Sequence, residues 1–304
     1  MLFVMRKSIG LLALLVCAVI LSACGQESVH KKQTSLTYSN LVDTGSRAQL
    51  AQLLADAGIS EQSISGLMSN IIHFNQIAGS GNLISGFVTT GTLEPIYDQG
   101  KIQDLWAEKS PNFIGYNCRL TSFDLMKDLI KVQTPQSWDT SQLFMDEDAI
   151  KESPRALFNQ TEKSDFFHVF AAIPTVLTKD ISVHLAKVQD YRRKNGISFV
   201  KKSDLQASLI SVWMHSYFSE EENYLFIGHV GVLIPARDGQ LYFIEKLAFQ
   251  EPYQMIKFAS RQDLSDYLMN KYDIEKNQPN ARPFVMENDQ LISGYRANPD
   301  NPDN

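Results

Sequence analysis

Cysteine is nearly absent from this 304-residue chain, which has three in all: Cys17, Cys24 and Cys118. Two of them fall in the first 24 residues, so the body of the chain holds Cys118 alone. A lone thiol cannot close a disulfide within that body, which excludes a disulfide-stapled scaffold. An excess of basic charge is also missing. Lys and Arg number 28 against 34 Asp and Glu, a net charge of −6. No basic stripe with interleaved aromatics stands out, and an acidic chain of this kind is a poor nucleic-acid binder. The one basic cluster, "YRRKNG" at 191–196, falls at an expected helix end, where cations suit the helix dipole. There is no Gly-rich phosphate loop, and His184 and His215 have no partner at metal-ligand spacing, so neither cofactor nor metal is expected. No repeat of solenoid or propeller period is visible. The apolar run "SIGLLALLVCAVI" is too short for a spanning helix.

That run does have a reading. A short basic start, "MLFVMRK", the apolar run, and the small-residue stretch "LSAC" form a signal-peptide pattern over residues 1–23. Leu21-Ser22-Ala23-Cys24 resembles the bacterial lipobox. The resemblance implies that Cys24 is lipidated, carries palmitate and becomes the first residue of the mature chain. The membrane is then a partner through this lipid, on the extracytoplasmic face of the bacterial cell membrane. An ordinary signal peptide cut nearby is the alternative. Residues 24–36 read as the lipidated N-terminus and a polar tether. Loss of Arg6 and Lys7 leaves 26 cationic side chains against 34 acidic ones, or −8.

The rest is 44% hydrophobic over the whole chain and 20% charged, enough for a large core, and is expected to form one domain over 37–297. From about residue 37 the signals are helical. "SRAQLAQLLADAG" opens on a capping serine, Ser46, and stops at Gly58. "SEQSISGLMSNIIHFNQIAG" stops at Gly79, and "YDQGKIQDLWAEK" is a weaker helix. "NCRLTSFDLMKDLI" is apolar over much of its surface, with Asn117 as N-cap, which suggests a central helix. Residues 133–142 read as loop. A helical insertion follows near 143–195, broken at Pro154 and Pro174. Then "SLISVWMHSYF", "NYLFIGHVGVLI" and "QLYFIEKLAF" read as strands, "DLSDYLMNKY" as a helix and "RPFVMENDQLIS" as a last strand. Residues 298–304 are a disordered tail by composition. Helices first and an antiparallel sheet second make an α+β fold.

Cys118 opens the central helix, where the dipole and free N–H groups stabilise a thiolate. A cysteine nucleophile also needs an imidazole, and the imidazole an orienting group. His229 is favoured, flanked by Gly228 and Gly231, whose missing side chains leave room for an approaching group. Arg237-Asp238-Gly239 read as a three-residue hairpin loop puts Glu245 opposite Gly231, diagonal to His229 and on the same face. A two-residue Asp-Gly loop would put them on opposite faces. Lys246 beside Glu245 reads as an exposed hairpin end. Gln250 or Gln254 could replace Glu245 as the orienting group. The backbone N–H of Cys118 is a natural oxyanion donor, with Tyr116 or Asn117 as a second. The competing reading of Cys118 is a small buried core residue.

A cysteine at a helix start, then a histidine on a strand, then a polar residue on the next strand resembles the order in papain-like cysteine hydrolases. "Asn117-Cys118" and "His229-Val230-Gly231-Val232" are similar to pieces of the NlpC/P60-like branch. Arg119 and Leu120 depart from the small residues usual there, and the cysteine–histidine gap of 111 residues is long. The chain also resembles a family of bacterial lipoproteins, domain of unknown function 4300, through "YSNLVD", "GYNCR", "HVGVLI" and "EKLAFQEPYQ". The first resemblance implies a papain-like fold and amide hydrolysis by a Cys118-His229-Glu245 triad, with peptidoglycan peptides as substrate class. The alternative function is a non-catalytic surface lipoprotein that binds a ligand or a partner protein. Oligomeric state stays open.

Overall fold

Periodic apolar residues and polar caps divide the first two-thirds of the chain into helices. The computed structural model describes residues 34–133 and 139–301. Residues 1–33 lie outside the described residues, and with them the signal peptide, Cys24 and most of the tether. The helices are α1 (Thr44–Asp56), α2 (Glu61–Ala78), α3 (Gln99–Lys109), α4 (Cys118–Met126), α5 (Phe144–Glu152), α6 (Gln160–Phe170), α7 (Ile181–Lys194) and α8 (Arg261–Tyr272). The strands are β1 (Thr37–Ser39), β2 (Val88–Thr89), β3 (Ile130–Lys131), β4 (Ile173–Pro174), β5 (Ser198–Phe199), β6 (Ser208–Tyr217), β7 (Asn223–Pro235), β8 (Leu241–Lys246), β9 (Tyr253–Phe258), β10 (Phe284–Glu287) and β11 (Gln290–Leu291).

The main sheet runs β11-β10-β6-β7-β8-β9-β1-β2, with β4 also on β7, and its pairings are antiparallel. Alternation along β7 and β8 divides the core in two. Val230, Val232, Ile234, Tyr242 and Ile244 pack with the helical layer that includes α1, α2 and α4. Leu233, Leu241 and Phe243 pack on the other face with Leu264, Tyr267 and Leu268 of α8. The chain is thus α+β, with helices on both faces of one antiparallel sheet.

Several boundaries differ from those expected. Residues 37–39 are a strand, not the start of a helix, and β9, which read as no element, pairs with both β1 and β8. The cap of α1 is Asp43 rather than Ser46. Its carboxylate accepts the N–H of Ser46 and the Ser46 hydroxyl, each at 2.7 Å, so the serine is held by the cap. The break at Pro174 carries β4, a two-residue edge piece where the missing N–H is tolerated. The last strand is a tight hairpin, β10–β11, turning through Asn288 at φ +51°. The tail is folded through residue 301. Asn298 and Asn301 are buried and donate side-chain hydrogen bonds to the Asp273 carbonyl at 3.0 and 3.1 Å. Two amides that satisfy buried acceptors outweigh the polar composition.

Candidate active site

The start of α4 is fixed from three sides. The Asn117 side-chain oxygen accepts the N–H of Leu120 at 2.9 Å, which caps the helix as expected. The Asn117 amide donates to the buried Asp146 carboxylate of α5 at 2.7 Å. Arg119 grips the same carboxylate with Nε at 3.1 Å and a terminal nitrogen at 2.7 Å, and donates to the Ile227 carbonyl on β7 at 3.3 Å. Ser122 donates to the Val230 carbonyl at 3.3 Å. Cys118 is therefore presented to the middle of β7.

The β7–β8 hairpin has the expected register. Ala236 N–H donates to Gln240 O at 2.9 Å, Gly239 N–H to Ala236 O at 3.0 Å, and Gly239 takes φ +83°. The ladder runs from Pro235–Leu241 to Val232–Ile244, and one step further places Gly231 opposite Glu245. Pairing between β7 and β8 stops there, while β8 and β9 stay paired to Lys246–Tyr253. The site lies at this fork. A register shift between β6 and β7 inserts Gly228 as an extra residue beside His229.

His229 Nε2 lies 2.6 Å from Glu245 Oε2. The Cys118 thiol stands close enough to the imidazole for each to shift the other toward its charged form, while Nε2 is taken by Glu245. The second carboxylate oxygen of Glu245 accepts from the Tyr267 hydroxyl at 2.7 Å and from the Gln254 amide. Tyr272 stacks on the imidazole, with ring centroids 5.3 Å apart and planes 24° from parallel. Exposure is 5% for Cys118, 1% for His229 and 0% for Glu245.

Burial disfavours charge on all three groups, yet each shifts toward its charged form. Hydrogen bonds to Cys118 and Glu245, and their charges, raise His229 to about 9 against burial. The His229 hydrogen bond and charge, then Arg119 and the Val230 N–H, lower the Cys118 thiol against burial. His229, Lys271 and the Tyr267 hydroxyl lower Glu245 against burial. The arrangement suits a thiolate–imidazolium pair with a carboxylate behind it.

Other expected features fall elsewhere. The two glycines leave no open room: a Cβ on Gly228 would sit 2.4 Å from the Met214 sulfur, and one on Gly231 2.3 Å from the Phe243 ring. Core side chains fill both spaces. Lys246 is buried, not an exposed hairpin end. Its ammonium donates to the carbonyls of Ala248 (2.8 Å), Phe249 (3.0 Å) and Glu251, and stands 4.2 Å from the Phe74 ring centroid. The Tyr116 hydroxyl pairs with Ser153 at 2.6 Å, and both polar ends of Asn117 are engaged as described. Gln250 lines a groove with Trp106 and Phe113, whereas Gln254 supports Glu245. His184 and His215 stand with ring centroids 4.5 Å apart, and Thr175, Thr178, Asn223 and Ala281 occupy their four nitrogens. Tyr267 and Tyr272 were not singled out in the sequence. Their spacing of five residues in "DLSDYLMNKY" is no signal of a shared face, since it turns the helix by about 140°.

No curated protein and no solved structure matches the chain. The part that builds this site, from β1 through the β10–β11 hairpin, coincides with a known family: the model described as "Domain of unknown function (DUF4300)" matches residues 37–292, and the chain belongs to that family.

Proposed function

We propose that the protein is a papain-like cysteine hydrolase of amide bonds. The observation that carries this reading is the His229 imidazole held between the Cys118 thiol and the Glu245 carboxylate. Cys118 thiolate attacks the amide carbon, and the carbonyl electrons move to oxygen. The Cys118 N–H at the helix start is the proposed oxyanion donor. Tyr116 can join it only by leaving Ser153, whereas the Asn117 amide has a second hydrogen beside the one given to Asp146. Collapse breaks the C–N bond, His229 gives its proton to the leaving amine, and a thioester remains. Water, deprotonated by His229, hydrolyses the thioester to a carboxylate and restores the thiol. Glu245 holds Nε2–H, so Nδ1 is the nitrogen that exchanges protons with sulfur.

A lipid on Cys24 would hold this activity on the extracytoplasmic face of the membrane, with cell-wall peptides as a substrate class in reach. Changing Cys24 to Ala should release the protein from the membrane fraction. Retention unchanged and without lipid removes the anchor from the proposal. A second reading, a non-catalytic lipoprotein that binds a ligand or a partner, draws on the burial of all three groups. Iodoacetamide separates the two. In the hydrolase, Cys118 alkylates with a thiolate titrating below the free-thiol value of about 8.5, and His229→Ala slows it at neutral pH. A thiol that reacts only on unfolding supports the scaffold.

A further inference from the structure

A cavity of about 340 Å³ opens between the start of α4 and β7, walled by residues next in sequence to the catalytic pair. Arg119, the residue after Cys118, forms part of its wall, as does Ile227, two residues before His229. The rest is largely apolar and aromatic: Leu143, Phe170, Tyr224 and Phe226. Its charge is already neutralised. Arg119 is bound through two nitrogens to Asp146, so the cavity offers no free ion to a charged ligand. One polar atom in the wall is unmatched. Gln142 lines the cavity, and its buried side-chain nitrogen has no hydrogen-bond partner. A buried donor without an acceptor costs free energy that an incoming carbonyl would recover. The rim is apolar as well. Phe218 lines the mouth at 76% exposure, and Phe144, following Leu143, is 62% exposed. An exposed ring such as Phe218 at the edge of a concave apolar wall marks a contact surface.

We propose that this cavity receives a neutral aromatic or branched aliphatic side chain of a peptide substrate, from a residue flanking the scissile amide, with the Gln142 amide donating to a substrate carbonyl. The proposal rests on the hydrolase reading above and narrows its substrate. It selects apolar peptides over cell-wall peptides with acidic or basic side chains beside the cleaved bond, because those would bury a charge with no counter-ion. Phe170, Tyr224 and Phe226 give stacking surfaces for a ring, and the volume admits such a side chain with room for more of the substrate.

The test uses the full chain and two peptidyl acyloxymethyl ketones that differ only in the residue beside the ketone, Phe or Glu, with iodoacetamide as reference. Cys118 labelling should favour the Phe probe by at least about tenfold, the size of discrimination an apolar pocket supplies. Ser216→Trp, which fills the cavity from β6, should bring the Phe-to-Glu ratio toward one. Gln142→Leu should lower the rate of both probes and keep the preference. Equal labelling by both probes, with iodoacetamide still dependent on His229, overturns the pocket and leaves the hydrolase standing. Iodoacetamide labelling indifferent to His229 overturns the hydrolase instead. The cavity is then read by calorimetry with N-acetyl-phenylalanine amide, where millimolar binding lost in Ser216→Trp supports it and no binding overturns it. Binding to phosphatidylcholine vesicles that needs Phe144 and Phe218, without peptide preference, assigns the rim to lipid and also overturns the proposal.

Discussion

Glu245→Gln changes the site by one polar atom, and its effect follows from which nitrogen is bonded to what. The carboxylate accepts from His229 Nε2 through one oxygen and from Tyr267 and Gln254 through the other. In the amide, the remaining oxygen still accepts from Tyr267 and Gln254. The new NH2 group then faces His229 and donates to Nε2. The imidazole proton is driven to Nδ1, the nitrogen that the proposed mechanism assigns to the sulfur, and the ring can no longer take a proton from the thiol. The loss of a charge-assisted hydrogen bond costs about 1–2 kcal/mol of stability, well under the total for a domain, so the fold persists. The chemical effect is larger. In the fold the Cys118 thiol lies below its ordinary value, and the hydrolase reading takes thiolate as its main form at neutral pH. Without the ion pair the thiol returns to about 8.5 or, being buried, higher, and about 3% or less is thiolate at pH 7. Alkylation by iodoacetamide should therefore slow by about 30-fold or more at pH 7, and the gap should close near pH 10. Burial of the sulfur slows both proteins alike and cancels in the ratio. A ratio near one at pH 7, or an equal deficit at pH 10, refutes the assignment of Glu245 as the group that orients His229.

Acid should weaken the protein through the same carboxylate. Glu245 is lowered in the fold, so its contribution is present above the unfolded value near 4.5 and is lost as pH falls toward about 2. Urea midpoints should fall over that interval in the native chain, and Glu245→Gln should lack this component. Lys246→Met keeps the apolar stem but strands the carbonyls of Ala248, Phe249 and Glu251. Denaturant unfolding should show a loss of about 3 kcal/mol or more, and an unchanged midpoint would mean that water replaces the ammonium. Gly231→Ala places a Cβ 2.3 Å from the Phe243 ring and 2.8 Å from the Ile244 carbonyl. It should cost about 1–3 kcal/mol, and Phe243→Leu in the same chain should recover part of that, as read by thermal unfolding.

The site geometry was legible because it depends on local rules. Asn117 before an apolar helical run is a cap, and an Asp-Gly loop flanked by strands sets a register that decides which residues share a face. From those two features the positions of Cys118, His229 and Glu245 follow. What could not be read depends on partners distant in the chain. Lys246 looks like a solvated hairpin end until the 248–251 turn folds around it. The space at Gly228 and Gly231 could be open or filled, and only the rotamers of Met214 and Phe243 decide. β9 contains Lys257 and Gln254 and begins after a proline, so its sequence carries little strand signal. Pairing with β1, more than 200 residues away, places it. The tail has the composition of disorder, and its order comes from buried acceptors on Asp273.

Every support of the Cys118–His229 pair comes from a different part of the chain. The sulfur is on α4, the imidazole on β7, the carboxylate on β8, and the two tyrosines beside them are on α8. A chain still unfolded carries an ordinary thiol with a pKa of about 8.5 and no imidazolium beside it. On the hydrolase reading, reactivity of this cysteine requires folding to bring these separate elements together. On that reading the thiol stays ordinary while the apolar segments are exposed, when a nucleophile would be most prone to attack its neighbours. Labelling of Cys118 during refolding would time the assembly of α4, β7 and β8 into one site.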